Sequence, residues 1–299
     1  MKYLITGATG VVGGHIARAL VQAGKQVKAL KRKNSDTSQM QDITSKIEWV
    51  EGDILDVFSL EDALKDIDYV IHAAAVVSFS GKQVQQMFKI NVEGTANLVN
   101  ACLQAKVKKL CHISSVAAIG RNKQEEMINE TTKWVNSENN SKYGISKYQA
   151  EQEVWRGMAE GLDVLVVNPS IVLATGDWNR SSLQILKYVK EGKKYYPSGS
   201  LNYVDVRDIA EVVVKLLDSE VSNERFILNA QSIKYRDIFR QIAQKLNVPA
   251  PTTEVKRWQG LVLCRLAALM AFFSGKAPLI TKETVNSSTS NFVYDSSKV

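Results

Sequence analysis

Lys2-Tyr-Leu-Ile-Thr-Gly-Ala-Thr-Gly-Val-Val-Gly-Gly-His-Ile-Ala-Arg-Ala-Leu-Val-Gln-Ala-Gly24 is the stretch whose reading decides the fold. Tyr3, Leu4 and Ile5 make a short apolar run suited to a buried strand, and Val12, Ile16, Ala19, Leu20 and Ala23 then recur at the spacing of one helix face. Gly7, Gly10 and Gly13 lie between the two. Glycines there let a strand turn tightly into a helix, bring backbone close to a pyrophosphate, and leave helix N-terminal amides pointing at it. Such turns also close ordinary βα units, so the strand before and the helix after give the glycines their meaning. The stretch predicts a dinucleotide-binding βα unit.

A chain of 299 residues has room for one large α/β domain and an appended lobe. A hydrophobic fraction of 45%, a charged fraction of 23% and a net charge of +7 are those of an ordinary soluble protein. The lysines are scattered rather than gathered into a stripe, so no nucleic acid partner is expected. Cys102, Cys111 and Cys264 are odd in number and follow no metal spacing; they read as reduced thiols of a cytoplasmic protein without a metal site. With a first strand starting at Lys2, no leader is expected ahead of it. No uninterrupted apolar run reaches the roughly 18 residues that cross a bilayer, so no stable membrane insertion is expected. Leu261-Val-Leu-Cys-Arg-Leu-Ala-Ala-Leu-Met-Ala-Phe-Phe273 comes closest and is broken by Arg265. It reads as a helix buried in the second lobe, with a membrane-surface contact as the alternative.

Gln26-Val-Lys-Ala-Leu30 alternates as a second strand and ends in Lys31, Arg32 and Lys33. A carboxylate at that strand end would hydrogen-bond a ribose 2′-hydroxyl; cations there favour the 2′-phosphate of NADP, unless they are simply a solvated basic loop. Ile47-Glu-Trp-Val50 is a third strand, and Asp53 beyond it suits either an adenine acceptor or a turn and helix cap. Ser59 to Lys65 reads as a helix. Tyr69-Val-Ile-His-Ala-Ala-Ala-Val-Val77 reads as a nearly continuous strand of the parallel type, with His72 in the core and Ala73, Ala74 and Ala75 small enough for a cofactor to lie on the backbone. A long helical pattern covers residues 83 to 105. Leu110-Cys-His-Ile-Ser-Ser115 is the next strand, and its serines fall at the carboxyl edge where open parallel sheets bind ligands. The polar loop from Arg121 to Asn140 has the length of a lid or substrate loop.

Tyr143 and Lys147 stand four apart in Ser141-Lys-Tyr-Gly-Ile-Ser-Lys147, one helix face, with Asn140 or Ser141 as cap. A phenol with a pKa near 10 is a poor proton carrier at neutral pH unless a nearby cation favours phenolate, and a lysine one turn later supplies one. Alone such a pair is a frequent accident on amphipathic helices; downstream of a dinucleotide fold and of Ser114-Ser115 it reads as a proton relay.

Together these pieces resemble the extended short-chain dehydrogenase/reductase family. The matching segments are Thr6-Gly-x-x-Gly10-x-x-Gly13, Asp53-Ile54, His72-Ala-Ala-Ala75, Asn91-Val-x-Gly-Thr95, Ser114-Ser115, Tyr143-x-x-x-Lys147 and Asn168-Pro-Ser-Ile171, in the family's order, with a weaker match over Asn202-Tyr-Val-Asp-Val-Arg-Asp-Ile-Ala210. The resemblance implies Tyr143 as general acid/base, Lys147 as its activator and ribose anchor, Ser115 as the hydroxyl that polarises the carbonyl, and Asn91 as a relay member. Ser115 is chosen over Ser114 because the family's serine lies five residues before a glycine equivalent to Gly120. The implied cofactor contacts are Gly7, Thr9, Gly10, Val11, Val12, Gly13, Lys31, Arg32, Asp53, Ile54, Ala73, Ala74, Ala75, Tyr143, Lys147, Asn168, Pro169 and Ser170. Two departures stand out. Ala174-Thr-Gly-Asp-Trp178 replaces the usual Gly-Pro-Gly, and Ser198-Gly-Ser-Leu-Asn202 lacks the arginine with which sugar-nucleotide epimerases grip a diphosphate. The pattern looks like the branch containing dihydroflavonol reductases.

The expected fold is a Rossmann-type doubly wound parallel sheet over residues 1–170, with 201–230 returning to it. A smaller, mostly helical substrate lobe is expected from 171–200 and 231–299. The expected function is NADPH-dependent reduction, with NAD as the other possible cofactor, of a ketone or aldehyde on a small apolar or aromatic substrate. Trp178, Tyr188, Tyr195, Tyr196, Trp258, Phe272 and Phe273 suggest such a lining, and would equally serve as plain core. The alternatives are a sugar-nucleotide epimerase/dehydratase that retains its cofactor and a non-catalytic NADP-binding regulator. A homodimer through the helices near 83–105 and 143–157 is implied by the resemblance.

Overall fold

The computed structural model describes residues 1–77, 83–120, 127–137, 140–175, 178, 183–274 and 281–299; the side chains of 266 and 268–274 lie outside that description. In chain order the strands are β1 (Lys2–Thr6), β2 (Gln26–Lys31), β3 (Ile47–Glu51), β4 (Tyr69–His72), β5 (Lys109–Ile113), β6 (Met127–Ile128) and β7 (Val164–Pro169). They continue as β8 (Ile171–Leu173), β9 (Tyr195–Pro197), β10 (Ser200–Asp205), β11 (Glu224–Leu228), β12 (Gln231–Lys234), β13 (Thr253–Val255) and β14 (Val293–Tyr294). The helices are α1 (Val11–Gln22), α2 (Val57–Ala63), α3 (Val84–Phe88), α4 (Gly94–Gln104) and α5 (Lys142–Ala159), then α6 (Gln184–Lys190), α7 (Val206–Asp218), α8 (Tyr235–Leu246), α9 (Arg257–Ser274) and α10 (Lys282–Ser288).

Seven strands form one sheet in the order β11-β7-β5-β4-β1-β2-β3, parallel throughout. Alternation along the strands divides their side chains between two cores. Tyr3, Ile5, Ala29, Cys111, Ile113 and Val167 meet α1 and α7 on one face, and Leu4, Leu30, Val70, Leu110 and Val166 meet α2, α4 and α5 on the other. This is the expected doubly wound sheet. The chain leaves β3 at one edge and re-enters as β4 beside β1, so the order reverses between β1 and β4 and opens a crevice at their carboxyl ends.

The strand read over Tyr69–Val77 stops at His72. Its neighbour β1 pairs with it only as far as Thr6↔His72 and then turns away at Gly7, leaving the ladder without a partner. The amide and carbonyl of Val76 are satisfied by the Asn91 side chain instead, at 2.8 and 2.9 Å. The helix expected from Ser59 begins at Val57, because the Asp56 carboxylate accepts the Phe58 amide at 3.2 Å. The helical run near 83–105 is interrupted by a π turn over Lys89–Glu93, between α3 and α4.

A second, three-stranded sheet, β12-β10-β8, sits against α6 and α8 around Val189, Leu201, Ile238, Phe239 and Ala243. Tyr188 and Tyr196 pack into this cluster, with Tyr188 and Tyr235 against the Phe239 ring, whereas Tyr195 and Trp258 are exposed. Tyr188, Tyr195, Tyr196 and Trp258 therefore form no common lining; the side chains of Phe272 and Phe273 lie outside the described residues. The expectation of a buried α9 also fails over its described part. It rests on α10 through Gly260, against Val285, and Val262 and Leu263 remain 48% and 45% exposed. Of the loop expected from Arg121 to Asn140, residues 121–126 and 138–139 lie outside the described residues; β6 within it pairs with β14, and Trp134 stacks on Tyr148.

Candidate functional site

β1 delivers the chain to Gly7, which turns with φ +75°, and an added Cβ there would stand 2.5 Å from the Ala74 nitrogen and 2.6 Å from the Ala73 carbonyl carbon. A side chain at Gly13 would come within 2.3 Å of the Gly7 carbonyl oxygen. Both positions need glycine so that turn, helix and the end of β4 can close on one another. Gly10 precedes α1 in extended conformation with no side-chain cap, and no acidic residue occupies the first turn. The amides of Val11, Val12 and Gly13 therefore keep their hydrogen-bonding capacity at the positive end of the helix. Thr9 sits half-buried in the turn, and Ala73, Ala74 and Ala75 run along the opposite wall. A cradle that a single Cβ would fill, ending in uncapped amides, fits the pyrophosphate of a dinucleotide.

At the far end of β2, Lys31 is half-buried and Arg32 exposed, and neither enters an ion pair among the described residues. Asp53 accepts the Leu55 amide at 2.9 Å, while its own backbone is bracketed by the Ser59 hydroxyl. It is thus a turn residue in this structure. Ile54 is buried where Gly94 lets α4 approach, and its carbonyl accepts from Asn97.

α5 begins at a cap in which the Ser141 hydroxyl accepts the Gly144 amide at 2.9 Å. One face of the helix then lies over the ends of β5 and β7. The Ser115 hydroxyl is near enough to the Tyr143 phenol to favour its ionised form. Burial pushes the phenol up to about 12, and Ser115 opposes that. Ser115 itself caps the short turn at Val116–Ala118 through the Ala117 amide. Ser114 points the other way and donates to Glu151. The two serines are thereby distinguished, with Ser115 the one beside Tyr143.

Lys147 is 1% exposed and donates to the Ile113 carbonyl at 2.9 Å and toward His112 Nε2 at 3.3 Å. Burial pulls its ammonium down to about 8, and the Glu151 carboxylate pulls it back up. The sequence predicts a lysine that lowers the phenol; in the structure burial dominates at Tyr143, and the Lys147 amine is committed to β5. Glu151, one turn further on, is fully buried, accepts from Ser114 and from Asn168 Nδ2, and pairs with Arg225 of β11. Burial raises its carboxyl, while Arg225, Ser114, Asn168 and Lys147 act in the opposite direction. Asn168 also donates to the Ser115 carbonyl at 2.9 Å. Pro169 ends β7, and Ser170 beyond it is buried with its hydroxyl unpartnered among the described residues.

Asn91 lies in the π turn, a helix irregularity that recurs at functional sites. Its carboxamide holds Val76 and donates to the Ser146 hydroxyl at 3.0 Å, and its carbonyl accepts the Thr95 hydroxyl at 2.6 Å. Asn91 therefore joins α4, α5 and the segment after β4. Because the Thr95 proton is spent on that carbonyl, His72 must donate to Thr95 from Nε2 and accept from Thr6 at Nδ1. Burial holds His72 down at about 3, a neutral core histidine as expected. Sequence reasoning missed Glu151 and Arg225. Glu151 follows Lys147 by four and could have been found on the same helix face; Arg225 is 74 positions further along, with no local signal.

A model of the NAD dependent epimerase/dehydratase family matches residues 3–229. Among curated relatives, sterol demethylase protein B of Methylococcus capsulatus is 28% identical over 100% of this chain and 91% of its own. A putative dihydroflavonol 4-reductase of Synechocystis is 29% identical over 99% and 87%, and cinnamoyl-CoA reductase 1 of Petunia hybrida is 30% identical over 83% and 78%. Among solved structures, the crystal structure of gox2253 superposes with a TM-score of 0.85 at 33% identity, covering 99% of this chain and 90% of that one.

Proposed function

The chain belongs to the NAD-dependent epimerase/dehydratase family, and from that premise we propose that it is an NADPH-dependent reductase of ketones or aldehydes on small apolar or aromatic substrates. It is an NAD(P)-dependent oxidoreductase of the extended short-chain dehydrogenase/reductase type. The observation that carries the finer reading is the Ser115 hydroxyl acting on the Tyr143 phenol at the carboxyl edge of the sheet, beside the glycine cradle. Gly7, Thr9, Gly10 and the amides of Val11, Val12 and Gly13 hold the pyrophosphate. Ile54 and Ala73–Ala75 line the cofactor's path, Asp53 shapes the adenine end, and Asn168, Pro169 and Ser170 close the nicotinamide end. When bound, the reduced nicotinamide supplies a hydride.

The substrate's carbonyl oxygen sits between the Ser115 hydroxyl and the Tyr143 phenol. A phenol held at about 12 is fully protonated at neutral pH, so Tyr143 has a proton to give that oxygen as it gains negative charge. Lys147 sits one turn along α5, is still mostly protonated at neutral pH, and in this reading would anchor the cofactor's ribose. Asn91 acts by fixing α5 to the wall after β4 rather than by carrying the proton.

Lys31 and Arg32 support NADPH over NADH, since both cations stand without an ion pair among the described residues where the 2′-phosphate would lie. The segment Ser198–Asn202 supports a substrate without a diphosphate. Gly199 packs on the backbone of Ser288 and Ser290, and Asn202 is bound to Phe292 and Ser232. Relatives named as reductases support the same direction.

The experiment is NADPH consumption with a panel of ketones and aldehydes, comparing wild type with Tyr143→Phe. Turnover falls about 100- to 10,000-fold in the variant while NADPH affinity is kept. Equal turnover in the variant removes Tyr143 from the chemistry. Protein that carries bound NAD and converts a sugar nucleotide without added cofactor establishes an epimerase instead.

A further inference from the structure

We propose that His112 is a positioning residue for Lys147: its neutral imidazole accepts one N–H of the buried ammonium and, with the Ile113 carbonyl, holds that group charged and in one place. His112 lies on β5 directly opposite His72 of β4, and both rings are fully buried. The Lys147 Nζ stands 2.9 Å from the Ile113 carbonyl oxygen and 3.3 Å from His112 Nε2, so consecutive residues of one strand take two of its three N–H bonds. An ammonium has only donors, which makes Nε2 the acceptor and leaves the ring proton on Nδ1. That Nδ1 has no partner among the described residues. His72, whose ring centroid is 5.1 Å away, has both nitrogens committed to Thr6 and Thr95 and offers it none.

A buried N–H without an acceptor disfavours the folded state, and an apolar side chain would fill the same site without stranding one. What the imidazole adds is the acceptor at Nε2. Burial and the nearby Lys147 and His72 hold His112 well below the usual imidazole range, so it stays neutral and keeps that lone pair. Among the described residues, the titratable groups that face the ammonium are His112 from β5, His72 from β4 and Glu151 from its own helix, with Arg225 of β11 balancing Glu151. Of these side chains, His112 is the one at hydrogen-bond distance from the amine. With two N–H bonds held on β5, the third is left with one direction to point. The inference rests on the reading proposed above, in which Lys147 anchors the cofactor's ribose; His112 acts through Lys147 and sets the charge and the aim of that anchor.

The test has two arms. In the first, protein labelled with nitrogen-15 in its histidine rings is followed by NMR from about pH 6 to about pH 10. The chain has only His15, His72 and His112, so His15→Gln and His112→Gln identify the resonances. His112 shows the Nδ1–H tautomer while Lys147 is charged, and its Nε2 signal shifts as Lys147 gives up its proton at about 8, a shift absent in Lys147→Met. An Nε2–H tautomer there, or a signal indifferent to Lys147, overturns the proposal whatever the protein's reaction. In the second arm, NADPH affinity is measured against pH. His112→Phe moves the alkaline fall in affinity down by about one pH unit, the size of a lost hydrogen bond to a charged group, and His112→Gln, which keeps an acceptor, restores it. Thermal melts confirm folding, and His112→Leu replaces a His112→Phe that does not fold. A variant that is less stable with an unmoved pH profile gives His112 a packing role and overturns the proposal. Lys147→Met that binds NADPH like wild type removes the ribose anchor instead, and the NMR arm then decides whether His112 holds the lysine.

Discussion

Burial pulls the Lys147 ammonium from its usual value near 10.5 down to about 8, so the folded protein holds this proton less tightly than the unfolded chain does. Between those two values the unfolded state binds more protons, so this group's contribution to stability rises with pH across that window and is least favourable below about 8. The cost at neutral pH is on the order of 3 kcal/mol. Lys147→Met is therefore expected to lose turnover yet to gain most in stability, relative to wild type, at about pH 7, with the advantage shrinking toward about pH 10. Denaturant melts of both proteins across that range check it; a difference that is flat in pH, or that grows with pH, contradicts the burial argument. Lys31 and Arg32 carry a second expectation at this scale. Replacing both with alanine lowers NADPH affinity by about 10- to 100-fold and leaves NADH within about twofold, the size expected for lost charge-assisted bonds. Fluorescence titration of the two cofactors reads this directly, and a wild type that prefers NADH would make the basic strand end a solvated loop.

At the scale of elements, the β1–α1 turn is the most constrained joint. An alanine at Gly7 meets the positive φ and backbone atoms at 2.5 to 2.7 Å at once, and neither the Ala73–Ala74 wall nor the sheet can yield cheaply. Gly7→Ala is expected to destabilise by roughly 2 kcal/mol or more and to abolish dinucleotide binding. A thermal melt and cofactor titration that match wild type would show that the turn is not closed on β4. That joint was legible because its signals are local: three glycines, an apolar strand and a 3.6-residue period within 23 residues. Strand ends are not local. β4 stops at His72 because β1 bends away, and Val76 is taken up by Asn91 from a helix 15 positions later. The same holds for α9, whose apolar sequence is compatible with a covered or an uncovered helix; what covers it depends on α10 and on the surroundings of the fold. The aromatic residues of the lobe divide, Tyr188 and Tyr196 into its core and Tyr195 and Trp258 onto its surface, because neighbours along β9 point to opposite faces and Trp258 stands at the exposed start of α9.

Across the whole molecule, Glu151 and Arg225 join the last strand of the main sheet to the candidate catalytic helix. Glu151 accepts from Ser114 at the end of β5 and from Asn168 in β7 and pairs with Arg225 of β11, so one carboxylate ties three adjacent strands to α5. Tyr143, Lys147 and Glu151 were all on one legible helix face, but the cation that balances the glutamate arrives only when the chain returns to the sheet edge. Arg225 also lies over the Trp155 ring at 5.6 Å, so its loss removes packing as well as charge. Arg225→Met leaves a fully buried carboxylate without its cation, and the expected cost is about 3 to 5 kcal/mol. Adding Glu151→Gln removes the stranded charge while keeping an acceptor for Ser114 and Asn168, so the double variant should recover most of that loss. The pH dependence has a definite sign. Burial already raises the Glu151 carboxyl, and without Arg225 it rises further, so lowering the pH lets it take up a proton and the penalty of Arg225→Met shrinks. Chemical denaturation of wild type, the single variant and the double variant at neutral and mildly acidic pH measures both effects. A double variant as unstable as the single one, or a penalty that grows on acidification, would mean that the pair does not bind the sheet edge to the catalytic helix.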